Sequence, residues 1–220
     1  MDRCIEPQLV DDVRSVEVLA NSFSMQEANF LLENIKRYFL DSEFLEILDL
    51  CCGTGDFAIV LAENYNGNID AVDGSLLVLE VANNKIVNAG FDTRITTKHL
   101  YAPFLIDKKY DLIYSLSSLH HFHNPNDFWL TIKNHTKENT KILVIDTHRP
   151  PSKEVAKTIV DTYENGESEW HQAEAYNSLL ASFESSEVVE QLRELQLDLK
   201  VETIKTKLDG FSFIVVWGEI

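Results

Sequence analysis

A nine-residue stretch, DLCCGTGDF from Asp49 to Phe57, joins two apolar runs, FLEIL and AIVLA. Gly53 and Gly55 lack a Cβ, so the backbone there can turn tightly and lie against a ligand. Asp73, in AVDGS, follows Gly53 by 20 residues. A carboxylate at that offset, closing the next strand, can accept both hydroxyls of a ribose. Two adjacent histidines, His120 and His121 in SSLHHFHNP, form the third feature. Imidazole is the side chain that exchanges protons near neutral pH. The pattern predicts a nucleoside-containing ligand on a glycine loop, with a proton acceptor within reach.

The elements that must position these residues alternate. FLEILDL, NIDAVD, TRITTK, YDLIYSL and KILVID read as strands. DFAIVLAENY, SLLVLEVANNKIVNAG and NDFWLTIKNH read as the helices between them. Strands separated by helical patterns predict a parallel sheet with helices on both faces. LKVETIKT and GFSFIVVWG follow one another across KLDG, a connection short enough to make them antiparallel. An earlier helix is expected from Ser24, with Glu27 at capping-box spacing and Phe30, Leu31, Ile35, Tyr38 and Phe39 on one face. Between Pro150 and Leu197 lie more helical residues than a crossover needs. The expectation is one domain over 1–220, with a helical cap over 1–40 and a helical insertion over 150–185, the two forming a lid at the carboxyl ends of the strands.

Charge narrows the ligand. GTGDFA with Asp73 satisfies the dinucleotide fingerprint on paper, which would make the protein an NAD-dependent oxidoreductase. A dinucleotide, however, brings an anionic pyrophosphate to the loop. Between Arg37 and Lys85 there are nine acids (Asp41, Glu43, Glu46, Asp49, Asp56, Glu63, Asp70, Asp73 and Glu80) and no base. Like charges ~4 Å apart at an effective dielectric of about 20 repel by about 4 kcal/mol. A ligand carrying an ammonium and a sulfonium, such as S-adenosylmethionine, suits these charges better.

At this point the chain resembles a family, the class I S-adenosylmethionine-dependent methyltransferases, from about Phe44 to the C-terminus. ILDLCCGTGDF is similar to that family's first motif, IDAVDGS to its ribose-binding turn, and YDLIYSLSSLHHF to its fourth strand and following loop. KILVID resembles the fifth strand. The resemblance implies a Rossmann-like, seven-stranded, mostly parallel sheet whose last strand is inserted antiparallel. It implies that Asp49 organises the loop and the ammonium of the methionine moiety, and that Cys51, Gly53 and Gly55 present backbone to it. It also implies that Asp73, with Gly74 and Ser75, takes the ribose. Leu100 and Tyr101 would border the adenine, and Ser115 would lie under the sulfonium end. Two residues depart from the pattern: Cys51 stands where glycine is usual, and Leu100 where an acid often bonds the adenine amino group. A non-catalytic member that binds a partner protein would keep the same fold.

The remaining features are read plainly. Cys51 and Cys52 are expected to be small buried fillers, and Asp56 a helix N-terminal charge. His120, His121 and His123 lack the cysteines and the helical spacing of a zinc site, so no metal is expected. One of the adjacent pair, His120, is expected to face the site as orienter or base, with His121 packed beneath the following helix. Trp170, Tyr176 and Phe183 in the insertion suit a small, partly apolar acceptor. The net charge of −17 repels nucleic acid and anionic lipid. Three cysteines without a framework, and no apolar run of ~18 residues, lead to an expected setting in the cytoplasm.

Overall fold

The computed structural model describes residues 1, 3–4, 25–40 and 42–220; Ser24 and its capping box lie outside them. Helix α1 spans Met25–Tyr38. Strand β1 (Glu46–Leu50), α2 (Asp56–Asn64), β2 (Asn68–Asp73), α3 (Leu76–Ala89) and β3 (Ile95–His99) form the first half of the sheet. The second half runs β4 (Tyr110–Leu116), a 3-10 turn at Leu119–His121, α4 (Pro125–Asn134), β5 (Thr136–Thr147), α5 (Lys153–Tyr163), α6 (Glu169–Ala181), α7 (Ser185–Glu194), β6 (Lys200–Lys205) and β7 (Ser212–Glu219).

The strands make one sheet in the order β3-β2-β1-β4-β5-β7-β6. β7 runs antiparallel to both β5 and β6, and the other pairings are parallel. This is the expected Rossmann-like architecture. β5 is longer than KILVID. Its polar start, Thr136 to Thr140, is held as strand because Thr136 pairs with Tyr110 and the Thr140 hydroxyl donates to the Tyr110 carbonyl at 2.7 Å.

Period-two alternation sends β1 to two cores. Ile47 packs with Leu31, Ile35, Leu61 and Ile86 on the side covered by α1, α2 and α3. Leu48 and Leu50 pack with Phe128, Trp129, Ile132 and Val188 on the side covered by α4 and α7. α1 is therefore a layer of the fold: Leu31 and Ile35 have no exposed surface. α5 and α6 bury Ala156, Ile159, Val160, Leu179 and Leu180 against each other, so the insertion carries its own small core. It leaves from the carboxyl end of β5 and returns at Phe183, which bridges to His148.

Starts of helices follow their local chemistry. Ser75, Ser152 and Ser168 each accept a backbone N–H three residues on, satisfying a donor that the helix itself cannot. Between α4 and α7 the fully buried Trp129 donates its indole N–H to Gln191 at 2.8 Å. Replacing Gln191 with Leu keeps the volume and leaves that N–H unpaired, at a cost of about 2 kcal/mol. The expected outcome for Gln191→Leu is a melting temperature lowered by roughly 4–8 °C, read by calorimetry; an unchanged transition refutes this account of the α4–α7 contact.

Candidate functional site

The loop after β1 is built from left-handed residues. Cys51 has φ 62°, Gly53 φ 55° and Gly55 φ 77°. A Cβ on Gly53 would meet nothing within 4 Å, whereas one on Gly55 would come within 3.2 Å of Ala82 on α3. Gly53 thus presents bare backbone to open space, and Gly55 lets α2 and α3 close together. Asp73 fixes the loop from the side. Its Oδ2 accepts the Gly53 N–H at 3.0 Å and its Oδ1 accepts the Ser75 N–H at 2.9 Å. Burial pushes the Asp73 carboxyl upward; the N–H groups of Ser75 and Gly53, then the charge of His121 and the Gly74 N–H, pull it back. A carboxylate has about four acceptor positions, so each oxygen can still take another donor.

Asp49 lies in β1 beside Tyr114 of β4. It is 2% exposed, and its Oδ2 has no hydrogen-bond partner among the described residues. The Tyr114 hydroxyl, equally buried, faces Asp49 without reaching full hydrogen-bond geometry. Burial pushes the Asp49 carboxyl up to about 7; the Tyr114 hydroxyl offsets part of this, and the charge of Asp73 adds to it.

The other acids nearby are neutralised from a distance in sequence. Asp56 pairs with Lys85 of α3 at 2.7 Å and accepts the Thr54 hydroxyl at 2.6 Å. Asp70 pairs with Lys98 and Lys108 at 2.7 and 2.9 Å, and Glu46 with Lys108 at 2.7 Å. The absence of bases holds along the chain but not in space. What remains at the strand ends is the charge of Asp49 and Asp73. Burial and these two carboxylates push the Cys51 and Cys52 thiols well above their ordinary range; Cys52 is the buried filler expected, while Cys51 is only half-buried.

The other expected residues fall as follows. A Cβ on Gly74 would lie 3.1 Å from the Tyr101 ring, and Tyr101 is 58% exposed. Leu100 donates its N–H to the Asp73 carbonyl at 3.1 Å, which ties the end of β3 to the turn after β2. Ser75 caps α3. Ser115 is buried, and its hydroxyl donates to the Leu50 carbonyl at 2.7 Å, bracing β4 to β1 just below the loop.

His120 is 4% exposed and His121 is exposed, so it is not His121 that packs away from solvent. The reason is Asp146, near the carboxyl end of β5. Its Oδ1 lies 2.6 Å from His120 Nδ1, and its Oδ2 accepts the His120 N–H at 2.9 Å. The His121 ring lies 4.1 Å from that of His120, on the Asp73 side. Arg3 closes the far side of this loop. Its Nη2 donates to the carbonyls of His120 and Phe122 at 2.8 and 3.0 Å, and its Nε to that of Ala181 at 2.6 Å. Asp146, Tyr114 and Arg3 were not anticipated. Asp146 carries the signal that singled out Asp73, an acid closing an apolar strand; Arg3 carries none.

Comparison with known proteins follows this geometry. A family model described as a methyltransferase domain matches residues 23–200. The ribosomal protein uL3 glutamine methyltransferase of Bradyrhizobium diazoefficiens is 46% identical over 70 residues, 30% of this chain and 22% of that one. The chain therefore spans less than a quarter of that relative. The ubiquinone biosynthesis O-methyltransferase of Rickettsia felis is 27% identical over 176 residues, 78% of this chain and 68% of that one. In fold, the chain is similar to a plantazolicin methyltransferase solved with a triazolic desmethyl analogue and SAH. The TM-score there is 0.71 at 14% identity, covering 94% of this chain and 90% of that one. With the family match spanning most of the sequence, the chain belongs to the methyltransferase domain family, and it shares its fold with a methyltransferase solved with SAH.

Proposed function

We propose that this protein transfers the methyl group of S-adenosylmethionine to a small-molecule acceptor in the cytoplasm. The carrying observation is the buried Asp49 carboxyl, whose Oδ2 has no hydrogen-bond partner among the described residues. An isolated carboxylate in that position is costly, and the cost falls when a cation arrives. The ammonium of a methionine moiety is such a cation, and the bare backbone at Gly53 admits it. Asp73, with acceptor positions to spare, suits the ribose hydroxyls; Gly74 and Ser75 hold it, and the exposed Tyr101 ring offers a face for adenine. An NAD pyrophosphate would instead meet two carboxylates.

Several observations favour a small acceptor. The similarity to the ubiquinone O-methyltransferase extends over most of the chain, and that to the ribosomal-protein enzyme over less than a third of it. The net charge of −17 opposes a nucleic acid. Among the described residues no helix is long and apolar enough to cross a membrane. The chain's own residues bind, orient and shield; in-line methyl transfer gains most from such orientation and from exclusion of water.

Calorimetry provides the test: S-adenosylhomocysteine binds and NAD does not. Binding of NAD alone refutes the proposal.

The affinity for S-adenosylhomocysteine should also depend on pH. Asp49 must lose its proton to receive the ammonium, so with its carboxyl at about 7 affinity falls as pH drops below that value. The limiting slope is about tenfold per pH unit. A flat profile between pH 5.5 and 8 contradicts the assignment of Asp49.

Asp49→Asn should separate stability from binding. The folded carboxyl titrates at about 7 and the unfolded one near 4, so the native state binds the extra proton between these values. Wild-type stability therefore declines as pH rises from ~4 to ~7, by at most about 4 kcal/mol, and stays reduced above. At pH 8 the variant should melt higher than wild type and bind S-adenosylhomocysteine about 10- to 100-fold more weakly, as loss of a charge-assisted bond predicts. A variant that melts lower, or binds equally well, removes Asp49 from the site.

A further inference from the structure

Two buried polar atoms without a full hydrogen bond stand side by side in the sheet: Asp49 Oδ2 and the Tyr114 hydroxyl. Asp49 of β1 is the register partner of Tyr114 of β4. Both side chains turn to the face of the sheet that carries Ile47, which α1, α2 and α3 cover with apolar residues. Tyr114 is among the largest side chains with no exposed surface, and its ring belongs to the core that holds Leu112 and Leu143. Its neighbour Ser115 donates to the Leu50 carbonyl at 2.7 Å, which locks β4 in register with β1 at this level. A packed ring on a locked strand cannot swing, so its hydroxyl is held facing the Asp49 carboxyl. Phenylalanine would fill the same space with no hydroxyl to desolvate. The hydroxyl is therefore a cost to the core unless a carboxylate uses it. A hydrogen bond to an ionised carboxylate is about twice as strong as one between neutral groups, so the hydroxyl favours the anion. Burial and the charge of Asp73 disfavour that anion, and the Tyr114 hydroxyl opposes both.

We propose that Tyr114 is a positioning residue for the cofactor: its hydroxyl steadies the Asp49 carboxylate as an anion and so sets how firmly the ammonium of the methionine moiety is held near neutral pH. This rests on the methyltransferase reading above. The Tyr114 oxygen is shut off from solvent, so it acts through Asp49 and not on the ligand. A carboxylate has about four acceptor positions, enough for the hydroxyl on one side and the ammonium on the other. The titratable groups facing Asp49 are Tyr114 from β4, Asp73 from β2, and Cys51 and Cys52 from the loop after β1. The two thiols stay neutral because burial pushes them upward, and the Asp73 charge repels the anion. Within this set, Tyr114 is the one group that favours it.

Tyr114→Phe on the full chain, with S-adenosylhomocysteine as the probe, tests this. Without the hydroxyl, Asp49 keeps its proton to a pH higher by about one unit. The variant should therefore bind about five- to tenfold more weakly than wild type between pH ~6 and ~7, and within about twofold at pH ~8.5. An unchanged profile overturns the proposal, and so does an equal loss at every pH, the mark of a purely structural role. The protein alone gives a second readout. A carboxyl whose folded titration point is raised loses stability as pH rises through that point. The melting temperature of the variant relative to wild type should therefore fall between pH ~6 and ~8.5; a constant difference overturns the proposal. Should the variant fail to fold, carbon-13 NMR of wild type labelled at the tyrosine Cζ decides. The Tyr114 signal should move together with the Asp49 carboxyl, which titrates at about 7; a Tyr114 signal that stays flat while Asp49 titrates overturns the proposal. Wild type that binds no S-adenosylhomocysteine at any pH refutes the methyltransferase reading instead. Binding by wild type with an unaltered profile in the variant refutes only the role of Tyr114, so the two failures are distinguishable.

Discussion

Negative charge held out of water at the carboxyl ends of the strands is the constraint on which the rest of the structure depends. Asp49, Asp73 and Asp146 close β1, β2 and β5, and Asp49 and Asp146 have almost no exposed surface. Each is handled differently. Asp146 is satisfied by an imidazole and two backbone N–H groups. Asp73 is half satisfied by the loop it organises. Asp49 Oδ2 is left without a partner among the described residues. A buried carboxylate costs free energy in proportion to what it lacks, so the three form a series. One is complete, one keeps acceptor positions open beside the loop it organises, and one has an oxygen with no partner among the described residues. Asp70, by contrast, is paired fully, with two lysines and the Tyr110 hydroxyl.

Much of this could be read from the residues, and the parts that could not have a common cause. The strands and helices were legible because hydrophobic period and turn residues are local properties. YDLIYSL and NIDAVD match β4 and β2 to the residue. Gly53 and Asp73 were legible because their offset is fixed by one βαβ unit. What sequence hid was set by partners far along the chain. Asp56 reads as one of nine unopposed acids until α3 brings Lys85 across 29 residues. His120 and His121 are equivalent as neighbours, and only Asp146, 26 residues on, decides which is buried. The polar start of β5 reads as loop because its strand character comes from Tyr110. The residues at 1–40 read as a cap, but Leu31 and Ile35 bury themselves in the sheet's own core.

Backbone strain falls where these carboxylates gather. Among the described residues four non-glycines have positive φ, and two of them, Cys51 at 62° and Ser117 at 48°, follow the adjacent strands β1 and β4. Each such residue costs on the order of 1 kcal/mol or more, so something must hold it. In both cases the chain bonds sideways. Cys52 donates its N–H to Val72 of β2 at 2.9 Å, and Ser117 to Ile145 of β5 at 2.8 Å. The loop after β1 thus leans toward β2 and the loop after β4 toward β5. The strand order reverses between β1 and β4, and at such a switch point two loops that lean apart leave a crevice between them. Ser115, donating to Leu50, keeps the two strands together directly beneath. Topology sets the place of the crevice, and a strained turn stands on each side of it. Asp49 is on its β1 side, Asp73 holds the wall toward β2, and the His120–Asp146 pair holds the wall toward β5. A glycine at position 51 would relieve the strain at one wall without changing its direction, which explains why a cysteine can stand there: the hydrogen bond from Cys52 to Val72 fixes the turn, and the side chain only has to be small.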